Sequence, residues 1–351
     1  MPDQNSNPTN PTHDPNTPLD PVTSNAPDTP EDEILLNSLR VREWDAFQGQ
    51  PQVKQSLLIA IEAAKEREEA VDHILLYGPP GLGKTTLSYL VSKAMDSNIK
   101  ITHGTALAKT GDLAAILTNL EPQDILFIDE IHRLPSAIEE MLYSAMEDFA
   151  LDIVIGKGPS ARTVRLDLPH FTLVGATTRF GLLSRPFRDR FGVIHRMQYY
   201  QPPELITILT QAATKLNVKL DKTSALEIAK RSRGTPRIAL KLLKRVRDFA
   251  QIKRKNLITL QGVVDALDLQ NIDILGLTHA DRHFLTTTIK KHGGGPIGLS
   301  TLAAALNEDP VTIEEVIEPY LLQLGFIQKT PQGRIVAKPA YDHLEIEFPV
   351  G

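Results

Sequence analysis

Eight residues, Gly78-Pro79-Pro80-Gly81-Leu82-Gly83-Lys84-Thr85, follow an apolar run, His73-Ile74-Leu75-Leu76-Tyr77, and lead into a helical pattern. The spacing fits G-x-x-x-x-G-K-[S/T], the loop that cradles nucleotide phosphates between a strand and a helix. Gly81 and Gly83 let backbone N–H groups turn inward around a phosphate, and the following helix adds positive potential at its N-terminus. Lys84 is informative by being badly placed. A cation in a first helical turn opposes the macrodipole by about 0.3–1 kcal/mol, and a bound phosphate removes that conflict. Thr85 offers its hydroxyl to Mg²⁺, and Thr86 lies against the same phosphates. ATP and Mg²⁺ are the expected ligands.

Hydrolysis needs further groups. The apolar run Ile125-Leu126-Phe127-Ile128 ends in Asp129-Glu130. Two carboxylates at the end of a buried strand are costly unless they have a task. Asp129 is expected to hold the Mg²⁺ and Glu130 to polarise the attacking water. A third apolar run ends in Gly175-Ala176-Thr177-Thr178-Arg179. A hydroxyl there can sit between the carboxylates and the γ-phosphate, and it is assigned to Thr177. Two arginines complete the set: Arg190, in Arg185-Pro186-Phe187-Arg188-Asp189-Arg190, and Arg237, in Gly234-Thr235-Pro236-Arg237. Thr235 suits an N-cap and Pro236 a first helical position. That puts Arg237 in a first turn, again against the dipole.

These residues have to be held by a scaffold. Short apolar runs alternating with helical segments from Ile34 to about Tyr200 predict a parallel sheet covered on both faces by helices. Strands are expected at 73–77, 125–128 and 171–175. After Gln201-Pro202-Pro203 the strand signals stop, and residues 204–270 read as a helical bundle. A third unit follows: helices over Arg282–His292 and Leu299–Leu306, then a helix opened by a capping box at Thr312-Ile313-Glu314-Glu315. Two strands flank Thr330-Pro331-Gln332-Gly333, a turn sequence. Three helices and a hairpin make a winged helix. The expected division is a disordered tail 1–33, rich in Pro, Asn, Thr and Asp, an ATPase domain 34–200, a helical lid 201–272 and a winged-helix head 273–351.

Composition narrows the function. The chain of 351 residues has no cysteine, which rules out disulfides and thiolate metal sites and suits a reducing cytoplasm. No apolar run approaches the roughly 20 residues of a membrane span, so no membrane role is expected. Net charge is -5, from 38 basic and 43 acidic residues. A protein that simply coats a polyanion would be basic. Contact with DNA is therefore local, or comes from several copies together.

The phosphate loop and acidic pair alone point to the AAA+ class. Gly78–Thr86, Gly111-Asp112-Leu113, Asp129-Glu130-Ile131-His132-Arg133-Leu134, Ala145-Met146-Glu147-Asp148-Phe149, Leu151–Gly156, Phe171–Arg179, Arg188–Gly192 and Arg231–Arg237, with the fused winged helix, resemble the RuvB family from about Leu36 to the C-terminus. The resemblance implies an ATP-dependent motor that drives Holliday-junction branch migration in recombination and DNA repair, including the SOS response. It implies hexameric rings flanking a RuvA-bound junction, with RuvC for resolution. It also implies nucleotide contacts by Leu39, Arg40 and Tyr200, with Glu147, Asp148 and Phe149 in a segment at the nucleotide site. Arg190 looks like the finger that reaches the neighbour's ATP, and Arg237 like the lid sensor for the subunit's own. The chain departs from the family at Val41, Phe187, Pro310 and Gln332. The last two fall at basic DNA-contacting positions.

In the head, Glu314, Glu315 and Glu318 lie on the helix that would read bases, where they repel phosphate. DNA contact is therefore expected through Lys329 and Arg334 of the wing, to backbone and independent of sequence. Residues 151–168 carry alternating apolar residues on two strands. By pattern they suit a hairpin on the domain's own core; the resemblance implies that Val164 and Leu166 dock RuvA instead. A second function remains open: a clamp-loader-type AAA+ switch that assembles a partner on DNA without translocating.

Overall fold

The computed structural model describes residues 30–155, 162–253 and 257–349. The disorder expected of residues 1–29 and the Gly156-Lys157-Gly158-Pro159 turn lie outside them. The expected tail boundary at residue 33 is corrected. Helix α1 already runs from Pro30 to Leu39, with Glu31, Asp32 and Glu33 in its first turn, where they oppose no dipole. Asp32 is buried and its carboxylate lies 2.6 Å from Lys244 Nζ. The described residues form two compact units, 30–269 with 273–276, and 270–272 with 277–349.

The first unit is built on five parallel strands in the order β2-β3-β6-β1-β7: β1 Ile74–Tyr77, β2 Ile99–His103, β3 Ile125–Asp129, β6 Thr172–Thr177 and β7 Val193–Arg196. The central strands β1, β3 and β6 are Ile-, Leu- and Val-rich and buried on both faces, as parallel sheets require. The edge strands β2 and β7 were not legible as strands. Lys100, Thr102, His195 and Arg196 interrupt their apolar pattern because neither strand is buried on both faces. Helices α2 (Pro51–Glu66), α3 (Lys84–Met95), α4 (Thr110–Leu117), α5 (Ser136–Asp148) and the short α6 (Arg185–Arg188) cover the sheet.

The strand order matters for chemistry. Although β6 is late in the chain, it pairs with β1 on one side (Tyr77↔Thr177) and β3 on the other (Ile128↔Gly175). The turn after β6 is thus set between the phosphate loop after β1 and the acidic pair after β3.

Between α5 and β6 the chain makes an antiparallel hairpin of its own, β4 (Ala150–Ile155) and β5 (Arg162–Asp167), outside the main sheet. The register pairs Leu151 with Leu166, so these partners and Val164 share a face. Leu151 is fully buried in the core, while Val164 and Leu166 are 39% and 37% exposed. The face that starts in the core therefore runs out into solvent.

Helices α7 (Pro202–Lys215), α8 (Lys222–Lys230), α9 (Pro236–Lys253) and α10 (Leu260–Leu269) form the helical lid, within the same compact unit as the sheet. A proline near the start and a reciprocal Gln201/Glu204 box open α7.

The second unit holds α11 (His279–His292), α12 (Leu299–Leu306), α13 (Pro310–Thr312), α14 (Glu318–Gln323), strands β8 (Ile327–Thr330) and β9 (Gly333–Val336), and α15 (Lys338–His343). It is a winged helix. The expected capping box at Thr312 is corrected: the helix starts earlier, with the Asp309 side chain accepting from Val311 N at 2.7 Å and Pro310 in the first turn. Thr312 has helical dihedrals. The third helix also widens into a π-turn over Ile313–Ile317, directly before Glu318-Pro319. Pro319 has no N–H and its ring would strike the carbonyl four residues back; an i→i+5 turn there relieves the clash.

Candidate nucleotide site

The loop after β1 turns tightly. Gly81 has φ +77°, and a Cβ built on it would lie 2.8 Å from side-chain atoms of both Arg237 and Thr235. Only glycine admits the first turn of α9 this close, and Arg237 N reaches Gly81 O at 3.4 Å. The lysine of the loop is buried, and its ammonium donates to the carbonyls of Gly78 (2.8 Å) and Pro79 (2.9 Å). Burial pulls its pKa down to about 8; Asp129 and Glu130 oppose the drop, and Arg237 adds to it.

One cleft collects the expected nucleotide residues. Gly81, Gly83, Lys84, Thr85, Thr86, Asp129 and Glu130 line it. Leu39, Arg40, Tyr200 and Arg237 line it as well, together with Leu36, Phe47, Ile208 and Leu240, which the sequence reading missed. The polar lining offers a hydroxyl and a carboxylate, Thr85 and Asp129. Such hard oxygen donors suit Mg²⁺ alongside phosphate oxygens. Tyr200, buried, donates its hydroxyl to Leu82 O at 3.1 Å and so anchors the loop.

Glu130 sits in the left-handed region, φ +46°, directly after β3. A non-glycine residue held there stores strain of about 1–3 kcal/mol, a feature of sites where a side chain must be aimed. Its Oε2 accepts from Thr178 Oγ1 at 3.0 Å and lies 3.1 Å from His132 Nδ1. The assignment of Thr177 is thereby corrected. Thr177 is the last residue of β6, wholly buried, and its Oγ1 accepts from Arg179 N and lies 2.9 Å from His132 Nδ1. Thr178, one residue beyond the strand, turns to the carboxylate. Strand alternation sends neighbouring side chains to opposite faces, and two adjacent threonines cannot be told apart without the sheet. His132 was not anticipated as a site residue either; its one signal was its place two residues after Glu130.

Arg190 does not enter this cleft. It stands after α6, where its Nη2 is 2.5 Å from Tyr143 Oη and pairs with Glu147, its guanidinium stacked 4.4 Å from the Tyr143 ring centre. Glu147, Asp148 and Phe149 are likewise absent from the cleft lining. They end α5, whose 13 residues carry them roughly 20 Å along the helix from its start near the acidic turn. Phe149 packs on His170 and Phe171 and, with Arg190, borders a separate cavity. The segment expected at the nucleotide site is therefore outside its own subunit's cleft.

In the wing, the two basic residues expected to meet DNA have acidic partners of their own. Glu318 is wholly buried, and both basic residues turn to it: Arg334 Nε at 2.6 Å and Lys329 Nζ at 2.5 Å. Arg334 also bonds Glu314 at 3.0 Å and its side chain is only 13% exposed. Arg334 is thus an ion-pair partner of Glu318 and Glu314, and two of the three acidic residues expected to repel phosphate are paired from the wing. Lys329 remains 44% exposed.

A parallel sheet with this strand order, a phosphate loop after β1, an acidic pair after β3 and a polar turn after the strand between them define a P-loop ATPase of the AAA+ class. Comparison with known families sharpens this. Residues 39–197 match the Holliday junction DNA helicase RuvB P-loop domain, 200–273 the RuvB AAA lid domain, and 274–345 the RuvB C-terminal winged helix domain. Among solved structures, the chain is similar to Thermotoga maritima RuvB, a Holliday junction branch migration motor: 50% identity, 89% of this chain and 100% of that one, TM-score 0.80. A substituted form of the same protein matches at 49% identity, with coverages of 89% and 100% and TM-score 0.80. The chain belongs to the RuvB family, ATP hydrolases that act as Holliday-junction branch migration motors. The clamp-loader alternative is set aside. No helix among the described residues is long and apolar enough to cross a membrane.

Proposed function

We propose that this chain works as a ring of identical subunits, expected to be hexameric, in which each nucleotide site is completed by the neighbour. The observation that carries this is the location of Arg190. Lys84, Thr85, Asp129, Glu130 and Arg237 share one cleft, whereas Arg190 stands outside it beside Glu147. A cation that stabilises charge on the transferring phosphoryl group can be supplied in trans. Glu147, Asp148 and Phe149, on the same side, are proposed to belong to that trans contribution.

Within one subunit the roles follow from position. The backbone of the loop and Lys84 bind the β- and γ-phosphates. Thr85 and Asp129 would hold Mg²⁺, which neutralises phosphate charge when bound. Glu130 accepts a hydrogen bond from the attacking water, and Thr178 and His132 aim its carboxylate. Arg237, in the first turn of α9, carries the nucleotide's state into the lid.

The ring is proposed to draw duplex DNA of any sequence through the junction. The exposed side of Lys329 is the wing's remaining phosphate contact. RuvA is proposed to dock on the outer face of the β4–β5 hairpin at Val164 and Leu166, with RuvC acting downstream, in the cytoplasm, in DNA repair and the SOS response. The division at about 200 and 272 into ATPase, lid and head is proposed on the change from sheet to helices and then to the winged unit.

The test is a labelled four-way junction incubated with the protein, RuvA, Mg²⁺ and ATP. Conversion to duplex products that requires ATP hydrolysis is expected. ATP turnover without product, with RuvA bound, would end the translocation reading.

A further inference from the structure

The nucleotide cleft has a lining of two chemical kinds. Lys84, Thr85, Asp129 and Glu130 are polar and suit phosphate; Leu36, Leu39, Val41, Ile208 and Leu240 are apolar and suit the face of a planar base. Of those five, Leu36 and Leu39 lie on α1 and Val41 just beyond it. Ile208 and Leu240 lie on α7 and α9 of the lid. An isolated helix of 10 residues is marginal in water, so something must hold α1 in place.

The lid holds it at both ends. At the N-terminal turn, Asp32 is 4% exposed and its carboxylate meets Lys244 Nζ of α9 at 2.6 Å. At the C-terminal end, Lys215 Nζ of α7 donates to the carbonyls of Leu39 and Arg40, each at 3.1 Å. Helix-final carbonyls lack intrahelical partners and carry the negative end of the dipole. The last turn of α1 has no basic residue of its own, and Lys215 supplies that charge from another helix. Two of the lid's lysines therefore grip the two poles of one short helix.

We propose that Asp32, Lys215 and Lys244 are positioning residues for base recognition: they fasten α1 to the lid, so that the base-side wall of the cleft moves with the lid. The proposal rests on the reading of the apolar lining as the base site. None of the three residues lines the cleft; their effect passes through Leu36, Leu39 and Val41. Contact with triphosphate is left to the loop, which none of the three touches. The consequence is a separation of affinities. Loosening α1 weakens binding of a nucleotide that has a base and spares binding of bare polyphosphate.

The experiment uses the full chain and displacement of a ribose-labelled fluorescent ATP by ATP or by inorganic tripolyphosphate. Lys215→Met and Lys244→Met are each expected to raise the Kd for ATP by about tenfold, raise KM with kcat little changed, and leave tripolyphosphate affinity within about twofold of the parent. Asp32→Lys combined with Lys244→Asp is expected to regain most of the ATP affinity lost by Lys244→Met. Unchanged ATP affinity in both single variants overturns the proposal. So does an equal loss of ATP and tripolyphosphate affinity, which is what general damage to the fold produces. If tripolyphosphate displaces the probe from the parent as well as ATP does, the base-site reading itself falls, a result visible before any variant is made.

Discussion

Lys84 shows how much one side chain can report. Its ammonium is buried, and its pKa falls from 10.5 to about 8, chiefly through desolvation. The drop corresponds to about 3 kcal/mol against the charged form. Below pH 8 the lysine is charged in both folded and unfolded chains, and the penalty is fully present. Between pH 8 and 10.5 the unfolded chain binds more protons, so stability rises with pH. Nucleotide phosphates reverse the balance by restoring charge to Lys84. ATP binding is therefore expected to take up protons between about pH 8 and 9.5, where the nucleotide is fully ionised, and its affinity to fall as pH rises, by up to about tenfold per pH unit. Titration calorimetry at pH 9 in two buffers of different ionisation enthalpy checks this. A heat independent of buffer would show that Lys84 is not the proton acceptor.

At the scale of elements, the third head helix and the wing are joined by charge. Glu318 opens α14 with no solvent exposure, and Arg334 and Lys329 from the two wing strands are its partners. Breaking a buried pair from one side leaves a carboxylate without compensation and costs up to about 3–5 kcal/mol. With Lys329 still in place, Arg334→Met is expected to destabilise the head by about 2–4 kcal/mol. Adding Glu318→Gln, which removes the stranded charge, is expected to recover part of that. Urea unfolding followed by a head-specific probe measures both. Loss of DNA affinity by Arg334→Met at unchanged stability would return Arg334 to the role of a direct phosphate contact.

The whole assembly enters through Arg190. If it acts on a neighbour's nucleotide, Arg190→Ala binds ATP but hydrolyses it about 10³-fold or more slowly, and Lys84→Ala fails to bind. Mixed rings are then expected to regain part of the activity, because the intact loop of an Arg190→Ala subunit can meet the intact Arg190 of a Lys84→Ala neighbour. ATPase activity across mixing ratios, with mixed rings verified separately, makes the measurement. Activity no greater than the sum of the separate variants would mean that Arg190 acts within its own subunit or only braces α5 through Glu147 and Tyr143.

What the sequence determined by itself is local chemistry and period. The loop Gly78–Thr85, its strand and its helix were legible because three neighbouring segments carry one function through backbone geometry. The carboxylates Asp129 and Glu130 were legible because acids at the end of an apolar run are costly without a task. The winged head was legible from helix period and a Pro/Gly turn. Tertiary structure decided what depends on distant parts of the chain. It placed β6 between β1 and β3, and so chose Thr178 over Thr177 as the partner of Glu130. It paired Lys329 and Arg334 with the buried Glu318, which no charge count along the chain could show. It set Asp32, counted in the tail by its polar composition, against Lys244 some 212 positions away. The physical reason is common to all three: a charge or hydroxyl takes its role from the partner that desolvation forces on it, and that partner is chosen by packing, not by neighbours in sequence.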